Sequence, residues 1–69
     1  MNPRIQFTVF CIEEYKVAKR KSGKQVAALF KKYNVLDYLR TCYEALHTIG
    51  PAALVADMDA FIRSRKRLK

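Results

Sequence analysis

Ser22-Gly23-Lys24-Gln25-Val26-Ala27-Ala28-Leu29-Phe30-Lys31-Lys32-Tyr33 is the stretch from which the fold is read. Ser22 with Gln25 three residues on is a capping box, in which each side chain satisfies the other residue's exposed backbone N–H. Val26, Leu29, Phe30 and Tyr33 then recur at i, i+3, i+4 and i+7. They form one apolar stripe, with Lys24, Ala28, Lys31 and Lys32 away from it. The spacing predicts a helix over 23–33.

Downstream, Asn34 is a second cap candidate, and Asp37 stands in the following first turn, where a carboxylate meets the positive end of the helix dipole. Val35, Leu39, Cys42, Leu46 and Ile49 share one face, which Leu36 and Tyr43 widen, so a helix over 35–48 should pack on more than one neighbour. Gly50-Pro51 ends it, and Pro51 suits the first position of the next helix, where its missing N–H costs nothing. That helix, 51–66, carries Leu54, Val55, Met58, Phe61 and Ile62 at helical spacing, with Asp57 and Asp59 early and Arg63, Arg65, Lys66, Arg67 and Lys69 late. Upstream the pattern is less decided. Ile5, Phe7 and Val9 alternate as in a strand, whereas Ile5, Val9, Ile12 and Tyr15 follow helical spacing. The helix-tolerant run Glu13, Glu14, Lys16, Ala18 and Lys19 decides for a helix over 5–20.

Composition agrees with an all-α reading. The chain has 69 residues, of which 51% are hydrophobic and 29% charged, with only two Gly and two Pro. That is too apolar for a disordered tail and too poor in turn residues for a sandwich or barrel. The expectation is one domain over 1–69, a compact bundle of three to four short helices with a radius of gyration near 11 Å. Two cysteines, Cys11 and Cys42, are far below the density of disulfide-stapled secreted domains and read as reduced thiols. The N-terminal apolar stretch is too short to span a bilayer and lacks a signal-peptide layout, so no membrane association and a cytoplasmic location are expected.

Fourteen Lys and Arg against six Asp and Glu give a formal charge of +8. The cations fall into a cluster of Lys16, Lys19, Arg20, Lys21 and Lys24 and a second one from Arg63 through Arg65, Lys66 and Arg67 to Lys69. A phosphate-binding or acidic-protein-binding surface would use such clusters, the acidic protein ahead of nucleic acid. The plainer account is that they close helix C-termini, where cations complement the dipole and remain solvated. A small basic nucleic-acid-binding regulator is the alternative function. Against it, a helix-turn-helix made from the second and third predicted helices would expose Asp37 and Glu44 to the phosphates beside Arg40 and Thr41. The aromatic residues other than Tyr38 fall on apolar stripes, so Tyr38 is the main exposed stacking candidate.

Catalytic residues are scarce. Cys42 and His47 lie about 140° apart around a helix, so thiol and base do not meet within it. A metal site would have to gather Cys11, Cys42, His47 and an Asp from three helices without any close ligand pair. Neither a catalytic residue nor a metal or cofactor is expected. His47, the sole histidine, either bonds the last carbonyls of its helix, or is held by Thr48 or an acid such as Asp57, or joins Thr48 in a partner-facing edge with Asp57 and Asp59 across the Gly50-Pro51 turn. In the last arrangement acid and base occupy different ends of the molecule.

The strings Leu29-Phe30-Lys31-Lys32-Tyr33-Asn34-Val35-Leu36-Asp37-Tyr38-Leu39 and Cys42-Tyr43-Glu44-Ala45-Leu46-His47-Thr48, with Phe10-Cys11-Ile12-Glu13 before and Asp57-Met58-Asp59-Ala60-Phe61-Ile62 after, resemble a family of small bacterial proteins of unknown function about seventy residues long. Ala53 and Ala56 depart from its pattern, which has an aromatic and an acid there. The resemblance implies a compact helical fold. It also implies a habit of lying in genes beside, or fused to, ADP-ribosyltransferase-like domains, hence an antitoxin-like or accessory role. It names no catalytic residue. The expected function is a non-enzymatic protein-interaction module that forms a homo-oligomer or binds such a neighbour, with Tyr38, Tyr43, His47, Thr48, Asp57 and Asp59 as the partner-binding residues. So small a body cannot hide half its residues, and the apolar surface left over calls for a partner.

Overall fold

The computed structural model describes residues 2–67. Its elements are α1 (Pro3–Lys19), α2 (Gly23–Lys32), α3 (Val35–Thr41), α4 (Tyr43–Leu46) and α5 (Pro51–Arg67), with no strand among the described residues. The radius of gyration is 11.3 Å and the extents are 34 × 23 × 20 Å.

Local chemistry sets most of the boundaries. Asn2 caps α1 by accepting from the Arg4 N–H at 2.8 Å, and Pro3 occupies the position where a missing N–H is harmless. Both halves of the Ser22/Gln25 box form, at 3.1 and 2.9 Å. Pro51 opens α5 as the sequence indicates. α1 ends on Arg20, which takes a left-handed conformation (φ 55°) while the Lys21 N–H reaches back to the Lys16 carbonyl at 3.0 Å. Glycine usually fills that position.

Two expectations fail here. Asn34 makes no side-chain cap. It turns the chain in the left-handed region (φ 59°), which its short polar side chain tolerates, and only its backbone carbonyl accepts from α3. The single helix expected over 35–48 is two pieces. At Cys42 (φ −99°, ψ 19°) the backbone leaves helical geometry, and α4 restarts on the Cys42 carbonyl, which accepts from Ala45 and Leu46. The turn sets the Tyr43 ring edge-on against Phe7, 5.4 Å away, and still leaves Leu46 buried. Sequence spacing alone could not show the break, because the apolar positions continue through it.

The core is Phe7, Cys11, Tyr15, Val26, Phe30, Val35, Leu39, Leu46, Leu54, Met58 and Ile62. α1 packs against α2, α3 and α5, and α3 against all four other helices. The stripes on α2 and α5 are those the spacing indicates. On α1 the buried stripe is Phe7-Cys11-Tyr15 and not Ile5-Val9-Ile12-Tyr15, while Ile49 on the α4–α5 link is exposed. No described helix is long and apolar enough to cross a membrane.

Candidate functional site

The residues expected to meet a partner are drawn into three separate places. The Tyr38 hydroxyl donates to Asp57, and the Tyr38 ring stacks on Phe61 at 4.1 Å and 11°. Tyr38 is therefore half-buried and closes the α3–α5 seam; it is not the exposed stacking residue expected from the sequence. Burial, and then the hydrogen bond to Asp57, raise its hydroxyl above the ordinary tyrosine range.

Asp59 accepts from the Tyr15 hydroxyl at 2.6 Å and from the Lys19 ammonium at 2.7 Å. Burial by itself would raise its carboxyl. The hydrogen bonds from Lys19 and Tyr15, with the positive charges of Lys19 and Arg63, outweigh that and hold it below its usual value. Tyr15 is raised for the complementary reason, by burial first and then by the bond to Asp59. Asp59 thus sits among the bases, so the separation of acid from base that a partner-facing His47 edge would entail does not occur.

The third place is where Tyr43 and His47 stack at 4.4 Å and 10°, with the Arg4 guanidinium 4.9 Å from the Tyr43 ring centre. His47 Nδ1 lies 2.8 Å from the Tyr43 carbonyl oxygen. A carbonyl only accepts, so this geometry puts the proton on Nδ1. His47 thus bonds a carbonyl of its own helix, and neither Thr48 nor Asp57 holds it. Both His47 and Thr48 are exposed.

Beside that stack is a surface the sequence reading missed. Arg4, Ile5, Thr8 and Val9 of α1 and Leu36 and Arg40 of α3 line a groove of about 310 Å³. Its apolar lining is Ile5 and Val9, 56% and 54% exposed, with Leu36. Arg4 belongs to both the groove and the Tyr43–His47 stack, so the two form one continuous face. Exposed ion pairs border it, Arg4 with Glu44 at 3.8 Å and Arg40 with Asp37 at 3.3 Å. On another side of α1, Phe10 and Val17 are 43% and 74% exposed. The signal was available: α1 carries apolar residues in several helical registers, and they cannot all point inward.

A second, shallower cavity of about 260 Å³ is lined by Asn34, Asp37, Tyr38, Thr41, Cys42, Phe61 and Arg65. Among the basic residues, Lys16 pairs with Glu13 and Lys19 with Asp59. Arg20, Lys21, Lys24, Arg63, Arg65, Lys66 and Arg67 are in no ion pair among the described residues; Lys69 lies outside them. Cys11 is buried, which pushes its thiol up to about 12, and Cys42 is half-buried; both are free thiols. Among the described residues no three His, Cys, Asp or Glu side chains gather as metal ligands would.

A family model described as "Protein of unknown function (DUF3791)" matches residues 6–65. No curated protein and no solved structure matches the chain.

Proposed function

We propose that this chain, which belongs to the DUF3791 family of proteins of unknown function, is a non-enzymatic protein-interaction module whose contact face is the α1–α3 groove with the adjoining Tyr43–His47 stack. One observation carries the reading: α1 is apolar on more sides than its own neighbours cover. Its buried stripe takes Phe7, Cys11 and Tyr15, yet Ile5, Val9, Phe10 and Val17 remain exposed. A helix that is apolar around most of its circumference belongs inside a larger assembly.

The polar groups support the same reading. Asp57, Asp59, Tyr15 and Tyr38 are engaged in holding helices together, and the Cys11 thiol is buried. These residues maintain a scaffold. The form of partnership that the resemblance implies is an antitoxin-like or accessory role beside an ADP-ribosyltransferase-like protein, and a homo-oligomer uses the same face.

The test is sizing by light scattering of the chain, alone and co-expressed with its neighbouring gene product, beside the Ile5→Asp/Val9→Asp variant. A particle larger than 8.0 kDa that the double variant reduces to a folded monomer supports the module. A wild-type chain that is monomeric in both settings overturns it.

A further inference from the structure

α1 carries two uncovered surfaces, and their chemistry is complementary. One is the groove against α3. Its apolar lining is Ile5, Val9 and Leu36, it takes one arginine from each helix, Arg4 and Arg40, and no carboxylate lines it. The other is a ridge. Phe10 and Val17 are both exposed; seven residues apart, they lie almost in line along the helix, about 10 Å from end to end. Glu13 and Glu14 come between them. Around the helix these two fall on opposite sides of that line, each roughly 50° from it, so the ridge has one carboxylate on either flank.

The charges on both surfaces are open to exchange. Arg4 with Glu44 at 3.8 Å, Arg40 with Asp37 at 3.3 Å and Glu13 with Lys16 at 3.1 Å are solvent-accessible pairs, which contribute little where they stand. Glu14 is in no ion pair among the described residues.

An apolar ridge flanked by carboxylates is the complement of an apolar groove with an arginine from each wall-forming helix. Val9 and Phe10 are consecutive, so groove and ridge point about 100° apart around α1, and no copy can fill its own groove. We propose that the ridge of one copy seats in the groove of another, Phe10 and Val17 against Ile5, Val9 and Leu36, with Glu13 and Glu14 taken by Arg4 and Arg40. The proposal rests on the reading of the groove as the contact face and adds what fills it. A second copy is the occupant because every copy brings both halves of the match, and the half outside the groove has no other use in the fold. The contact is heterologous. Each added copy leaves one groove and one ridge free, so copies join head to tail, into a ring if the rotation closes and a filament if it does not. The charge of +8 per copy opposes this at long range, but at 0.15 M salt it is screened beyond about 8 Å.

The test is sedimentation velocity on the intact chain at physiological salt, with Val9→Asp as the groove variant and Phe10→Asp as the ridge variant. Wild type should form particles larger than 8.0 kDa that grow with concentration, and each variant alone should be monomeric. Their equimolar mixture should form a complex of two chains and no more, since only one intact ridge and one intact groove remain to meet. Circular dichroism checks that each variant keeps its helices; Ile5→Asp in the groove and Val17→Asp on the ridge give the same result and stand in for a variant that does not fold. A mixture that stays monomeric would overturn the proposal. So would a Phe10→Asp chain that keeps the wild-type size while Val9→Asp is monomeric, which means groove meets groove. A wild type that is monomeric alone but complexed with its neighbouring gene product would assign the groove to that protein, overturning this proposal and leaving the module standing. Wild-type size in both variants would overturn the two together.

Discussion

Replacing Asp59 by Asn should destabilise the fold by about 1–2 kcal/mol at pH 7, and the deficit should disappear in acid. Asp59 on α5 receives two hydrogen bonds from α1, from the Tyr15 hydroxyl at 2.6 Å and the Lys19 ammonium at 2.7 Å. A hydrogen bond to a charged group contributes roughly 1.5–3 kcal/mol when shielded. The Asp59 side chain is 21% and that of Lys19 37% exposed, so solvent screening reduces the Lys19 share to that of a surface pair, ~0.5 kcal/mol. Asparagine keeps an acceptor for Tyr15 but loses the charge, which gives the figure above. The pH dependence follows from the direction of the Asp59 shift. Its carboxyl is held below the usual value in the folded protein, so the carboxylate contributes stability above the unfolded value near 3.9, and that contribution is lost as pH falls through the folded value. Urea unfolding followed by circular dichroism from pH 7 to pH 2.5 should show a constant gap between wild type and variant down to about pH 5, closing below pH 4. A gap that persists unchanged into acid, or no gap at neutral pH, would show that the junction does not tie α1 to α5 through charge.

Further outcomes can be measured on the same chain. Phe30→Ala removes a fully buried ring set edge-on to Tyr15 at 5.2 Å and should cost about 3–5 kcal/mol, much of the ~3–10 kcal/mol expected for a domain of this size; Lys66→Ala should stay within ~0.5 kcal/mol. Equal, small effects in urea unfolding would refute the core assignment. Arg20→Gly should stabilise by about 0.5–1 kcal/mol, because Arg20 sits at φ 55° and glycine relieves a left-handed penalty that exceeds its own entropic cost; a lower thermal midpoint would contradict this. Iodoacetamide at pH 8 should label Cys42 in the folded protein and Cys11 only after unfolding, since Cys11 is buried with its thiol pushed up to about 12 and the thiolate is the reactive form. Equal labelling by mass spectrometry would show that Cys11 is accessible.

What could be read from the sequence is what neighbouring residues determine. The Ser22/Gln25 box, Pro51 at a helix start, and the stripes on α2 and α5 depend on spacings of a few residues, and each is found in the fold. The break at Cys42 is different, because apolar spacing runs through it unchanged, and the contact that accompanies it, Tyr43 against Phe7, comes from another helix. The α1 stripe was misplaced for a related reason. When a helix is apolar in several registers, only its neighbours decide which register is buried, and they chose Phe7, Cys11 and Tyr15. The partners of Asp57 and Asp59 are equally non-local: a tyrosine on an apolar stripe announces that its hydroxyl needs an acceptor, but not which carboxylate lies across the seam. Of the six residues expected to face a partner, the fold engages Tyr38, Asp57 and Asp59 internally and joins Tyr43 and His47 to a groove that the misread α1 register had concealed.

Photo-cross-linking from inside that groove addresses the protein-binding face directly. With Val9→p-benzoylphenylalanine incorporated in the producing cell and irradiated, a discrete covalent adduct to a second polypeptide should form, another copy or a different chain, while the same probe at Lys24 gives none. No adduct from position 9, or the same diffuse adducts from both positions, would mean that the uncovered side of α1 meets only water.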